Sequence, residues 1–203
     1  MVNYEQLLEG SRVFVLNEGR DAMYKVATHL VSEFWGKPRD ITDGLGVLLL
    51  TWNQAFYRYG SFDFNSLEKC LTKNMDSFQQ FRKRDIFSYN NKDNDIIGVL
   101  FADLLEALQN EKGRSPVAVS KALHLLAPSF FPLWDNKIAQ AYNCYWSSSN
   151  EAALKYIFFM RKTQQLAGDI LKSYASSEVQ DRQKPWKVSV KNAQLICLSL
   201  NHC

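Results

Sequence analysis

The sequence predicts an all-α protein, and three observations carry the prediction. Apolar residues recur at three- and four-residue spacing over most of the chain, the period of one helix face. Period-two alternation, the mark of a half-buried strand, is scarce. Prolines and glycines punctuate the periodic segments. The 203 residues read as one domain, divisible into a lobe at 40–110 and a second lobe made of 111–203 together with the N-terminal helices.

Taken in order, residues 4–16 place Leu7, Leu8, Val13 and Leu16 near one face. Residues 21–35 do the same with Met23, Val26, Ala27, Leu30 and Phe34. Pro38 interrupts the pattern, because proline lacks an N–H and clashes inside a helix. Thr42 or Asp43 is the expected cap of the next helix, which runs to about Tyr59 and ends at Gly60. Gly44 and Gly46 are poor helix formers that close packing tolerates. Two shorter helices follow at 65–73, with Asn65 as cap, and at 75–83. Residues 88–94 read as a polar loop. The strongest helix is 94–110, striped by Ile96, Ile97, Leu100, Leu104, Leu105 and Leu108 and stopped by Gly113. Ser115-Pro116 opens a helix reaching Leu126, since proline suits a first turn. Pro128 and Pro132 bound an aromatic connector, and the next helix starts at Asp135 and reaches Tyr142. After a loop at 147–150, a long helix spans 151–174 and a shorter one lies near 189–200.

Composition narrows the classes. At 46% apolar and 22% charged residues the chain is globular, which excludes disorder and coiled coil. Apolar runs such as Val47–Leu50 are far shorter than the ~20 residues that cross a bilayer. The start, MVNYEQLLEG, has no basic-then-apolar leader, so a cytoplasmic protein without membrane partners is expected. Four scattered cysteines without a CxxC and three histidines point to reduced thiols, with no metal and no cofactor. A formal charge of +3 permits nucleic acid binding without requiring it.

The most informative stretch is 114–143, RSPVAVSKALHLLAPSFFPLWDNKIAQAYN. The two prolines forbid continuous helix, so the chain folds back and lets Lys121 and Asp135 approach across a hairpin. Ser120-Lys121-Ala122-Leu123 and Pro132-Leu133-Trp134-Asp135-Asn136-Lys137-Ile138 resemble the lysine-bearing helix and the aspartate turn of the helix-hairpin-helix DNA glycosylase superfamily. The upstream helices, including Leu48-Leu49-Leu50-Thr51-Trp52-Asn53-Gln54, are compatible with that family's two-lobed all-α layout. Two departures stand out. Val117-Ala118-Val119 replaces the family's glycine-rich hairpin, and the fourteen residues from Lys121 to Asp135 are fewer than the family spacing.

The resemblance implies two helical lobes with a cleft between them and excision of a flipped base from DNA, as in base excision repair. Asp135 would then stabilise positive charge on the sugar and orient the attacking water. As a residue type at a helix head it also reads simply as an N-cap. Lys121 reads as an amine nucleophile, a phosphate contact or a solvated side chain. His124 reads as an acid–base group or as a structural histidine. Trp52, Asn53, Gln54 and Trp134 are candidates for holding the base, with core packing the alternative for the tryptophans. Arg82, Lys83, Arg84 and Lys137, and the basic stretch 182–191, are candidates for the DNA backbone. A second reading is a binding module on the same fold without chemistry. A third is a protein-interaction domain using Phe130, Phe131 and Trp134 as exposed anchors.

Overall fold

A computed structural model describes residues 21–178, together with Gln6, Glu9, Arg12 and Val13. Eight α-helices occur among the described residues: α1 Asp21–Glu33, α2 Pro38–Trp52, α3 Gln54–Tyr57, α4 Phe64–Arg82, α5 Asn94–Ala107, α6 Pro116–Leu126, α7 Asn136–Ala141 and α8 Ser149–Glu178. Two short 3-10 turns, Ile86–Ser88 and Asn91–Asp93, join α4 to α5. No strand occurs among the described residues, so the all-α prediction holds. The helices expected at 4–16 and 189–200, and the basic stretch 182–191, lie outside the described residues or largely so.

Helix α6 is the hub and packs against α1, α2, α5 and α8. Nine of its eleven residues are buried, including Ser120 and His124. Val117 and Lys121 are the two that are not. They stand four apart, on one face of the helix. Around the hub the buried side chains form one continuous apolar core, with contributions from α1 through α8.

Several boundaries differ from the sequence expectation for local reasons. Pro38 starts α2 rather than interrupting the helix, because a first-turn residue has no N–H bond to lose. Thr42 is therefore inside α2, its hydroxyl donating to the Pro38 carbonyl at 2.9 Å. The expected continuous helix to Tyr59 breaks at Asn53, whose backbone (φ −117°, ψ 29°) leaves the helical region. The two helices expected at 65–73 and 75–83 are one, and its cap is Asp63, which accepts from the Asn65 N–H at 2.9 Å. Helix α5 ends at Ala107, ahead of Gly113. Gly113 instead sits at φ +112° and closes a tight reversal by paired backbone hydrogen bonds with Asn110. That reversal joins α5 to α6, so the glycine-dependent turn lies before the helix and Val117–Val119 forms the helix's first turns.

Gly44 and Gly46 fulfil the packing role expected of them. A Cβ on Gly44 would meet Val31 Cγ2 at 3.0 Å and Leu30 Cβ at 3.2 Å, and one on Gly46 would meet Phe64 Cε1 at 2.9 Å. Close approach of α1 and α4 to α2 depends on their absence.

The aromatic connector is anchored in the core. Phe130 and Phe131 are 1% and 0% exposed and both pack on Phe81, with ring centroids 4.7 and 5.2 Å away. Tyr156 donates to the Pro132 carbonyl at 2.9 Å, and the Trp134 N–H donates to Ser120 Oγ at 2.7 Å. These bonds fix the path of the chain into the head of α7. They also remove Phe130, Phe131 and Trp134 as exposed anchors for a partner.

Candidate functional site

A cleft of about 780 Å³ opens where the end of α2, the start of α6 and the head of α7 converge. That volume falls in the range of ligand-binding pockets, ~300–1,000 Å³. Both residues left unburied on α6, Val117 and Lys121, line it, and so does Asp135.

Asp135 reaches the cleft because the connector arrives extended (φ −133°, ψ −177°) and α7 begins at the next residue. Its Oδ1 accepts from the Ile138 N–H at 2.8 Å, the N-cap bond, and the side chain is half-buried. Capping occupies one oxygen and orients the other.

Lys121 lies across the cleft. Its Nζ donates to the Trp52 carbonyl at 2.6 Å and to Asn53 Oδ1 at 3.2 Å. Trp52 is the last residue of α2, so its carbonyl is one of those the helix leaves without an internal partner, at the negative end of the helix dipole. Asn53 in turn donates to Ser115 Oγ at 3.2 Å, and Ser115 caps α6 by accepting from the Ala118 N–H at 3.2 Å. The break at Asn53 thus has a cause: its side chain bridges α2 to α6, and its main chain turns to allow it. Two oxygen acceptors thus hold the Lys121 side chain in place.

Aromatic rings form the rest of the wall. Trp52 stacks on Tyr24 (5.4 Å between centroids, 16°), which holds it from behind. Trp134, at 1% exposure, carries Trp146 against it at 4.3 Å, and Tyr145 stacks on Trp146 at 5.0 Å. Arg114 and Lys137 add positive charge at the rim, with Arg114 paired to Glu106.

The cleft therefore gathers Lys121, Asp135, Trp52, Asn53, Trp134 and Lys137 from the sequence-derived candidates. Others lie elsewhere. Gln54 is exposed and outside the cleft, although its α3 neighbours Ala55 and Phe56 line it. His124 is 0% exposed. The Phe131 carbonyl can only accept, so Nδ1 donates to it at 2.8 Å and Nε2 accepts from Tyr24 Oη at 3.0 Å. Burial drops this imidazole from 6.5 to about 4, outweighing the bond to Phe131. It is a structural histidine.

The basic run at the end of α4 is also corrected. Arg82 donates to the Leu126 carbonyl at 2.8 Å and lies over the Trp35 ring. Arg84 forms a two-pronged pair with Asp93, both bonds at 2.7 Å, and packs on Phe130. Neither guanidinium is presented as part of an open basic track. Lys83 is exposed but does not line the cleft. Conversely, the sequence reading passed over Arg114, Tyr145 and Trp146. Adjacent aromatics in an otherwise polar loop after a short helix were the available signal for the last two.

Among the described residues no group of histidine, cysteine or acidic side chains could hold a metal ion, and no helix is long and apolar enough to cross a membrane. Compared with protein-family models, with curated proteins and with solved structures, the chain matches none.

Proposed function

We propose that the protein binds DNA across this cleft and hydrolyses the N-glycosidic bond of an extruded nucleotide, in the manner of a helix-hairpin-helix DNA glycosylase, with two helical lobes flanking the site. The observation that carries the reading is the convergence of Lys121 and Asp135, from separate helices, on one aromatic-walled cleft.

In this reaction the C1′–N bond breaks and its electron pair leaves on the base nitrogen. Positive charge develops at C1′, where the Asp135 carboxylate stabilises it. The oxygen of a water bonds to C1′ from the side Asp135 faces, its proton passes to the carboxylate, and the departing base is protonated in turn. Lys121, bound to Trp52 and Asn53, serves as a fixed positive charge toward phosphate and not as an amine nucleophile. The mechanism is therefore hydrolytic, and borohydride should trap no covalent adduct.

The test is base release from a panel of damaged duplexes. Asp135→Asn should lower release by ~10²–10⁴-fold, the usual contribution of a positioned acid–base group, while preserving the N-cap bond. Equal release by variant and parent removes Asp135 from the chemistry. Duplex binding with no release by the parent would support instead the binding module without chemistry, a reading favoured by the use of Asp135 Oδ1 as a cap.

A further inference from the structure

Two buried side-chain polar atoms among the described residues have no hydrogen-bond partner, Thr28 Oγ1 and Trp134 Nε1. A threonine hydroxyl can rotate toward an acceptor, but an indole N–H is fixed by its ring and can only donate. Leaving such a donor unpaired in an interior is costly. Native interiors rarely retain that cost without a reason. Trp134 lines the cleft, so the orphaned donor belongs to a residue of its wall.

Aromatic rings pack on Trp134 from two elements, Tyr156 of α8 being one of them. Trp146 packs on Trp134, and Tyr145, 49% exposed, stacks on Trp146. Both rings sit on the short segment between α7 and α8. That segment leaves α7 through Asn143, which holds φ +54°, a left-handed conformation that asparagine tolerates better than most residues. For a ligand in the cleft to reach the indole N–H, the Trp146 ring has to turn aside, which would leave aromatic faces for the ligand to stack on.

We propose that Trp134 Nε1–H is the reading group of this cleft, and that it selects bases presenting a carbonyl oxygen, such as hypoxanthine and uracil, over their amino counterparts adenine and cytosine. A donor-only group rewards a keto oxygen at that edge and leaves an amino group facing another N–H. The inference rests on the reading that the cleft takes an extruded nucleotide.

The experiment is a titration of the full chain with the four free bases, followed by the indole N–H signals of ¹⁵N-labelled protein. The chain has five tryptophans, and Trp134→Phe identifies the relevant signal. Hypoxanthine or uracil should shift that signal downfield, and the matching amino base should not at equal concentration. Trp134→Phe removes a donor without a partner but also leaves a cavity in the core, so it should melt below the parent while staying folded at 25 °C, and bind the keto base about tenfold more weakly there. An unmoved signal, equal binding of keto and amino bases, or equal affinity in Trp134→Phe would each overturn the proposal. Keto-base binding without base release from duplexes would fail the hydrolytic reading alone, and release that ignores Trp134→Phe would fail this inference alone.

Discussion

Burial of His124 places an acid-sensitive joint at the centre of the fold. The ring is held neutral, with Tyr24 donating to one nitrogen and the Phe131 carbonyl accepting from the other. An unfolded chain protonates this histidine as the pH falls through 6.5, whereas the folded chain resists until about 4. The unfolded state thus binds more protons within that window, and stability must fall with pH there, by roughly 3 kcal/mol in all. Asp93 and Glu151 respond in stronger acid. For Asp93, burial works upward, but Arg84 and the Asn90 N–H outweigh it and hold the carboxyl below its usual range; hydrogen bonds from Ser147 bring Glu151 to about 2. Thermal melts between pH 7 and about 5 should therefore isolate the histidine. His124→Gln should flatten that part of the curve, and an unchanged slope would show the titrating group to be another.

Helix packing makes its own prediction through the glycines. A helix-interior Gly→Ala exchange gains up to ~1 kcal/mol where space allows. Gly98 on α5 has nothing within 4 Å of a would-be Cβ, so Gly98→Ala should stabilise the protein by about that amount. At Gly44 the new methyl would meet Val31 Cγ2 at 3.0 Å and the Val31 backbone nitrogen at 3.4 Å, and backbone yields little. Gly44→Ala should cost ~1–3 kcal/mol, the scale of overpacking. Urea unfolding of the two variants should give shifts of opposite sign. The same contrast explains why α2 tolerates two glycines near its start although neither favours a helix.

For the molecule as a whole, the cleft is a product of the hub. Burying nine residues of α6 leaves a single face, Val117 and Lys121, open to it. Lys121 secures the end of α2, Ser120 secures the connector, and the connector delivers Asp135. A duplex lying over this mouth would meet Lys137, which is exposed at the rim. Binding should weaken steeply with salt, and Lys137→Ala should weaken it for all sequences alike while reducing the salt slope by ~1. A slope that does not change with Lys137 would move the phosphate contacts to another surface.

Much of this was legible in the order of residues. The helical class follows from spacing, Ser115-Pro116 marks the start of α6, and the position of Asp135 marks the head of α7. Each is a local signal, settled within a few residues by capping, proline geometry or periodicity. The roles of the basic and aromatic groups were not legible. Arg82 and Arg84 look like a surface track until Leu126, Trp35, Asp93 and Phe130 are found beside them. Phe130 and Phe131 look like anchors until Phe81 covers them. Asn53 looks helical until Ser115 and Lys121 claim its amide. Sequence alone determined the helical class and the turn that carries the acid. Tertiary structure decided which polar and aromatic side chains face the cleft, because those partners come from distant parts of the chain and burial is a property of the packed whole.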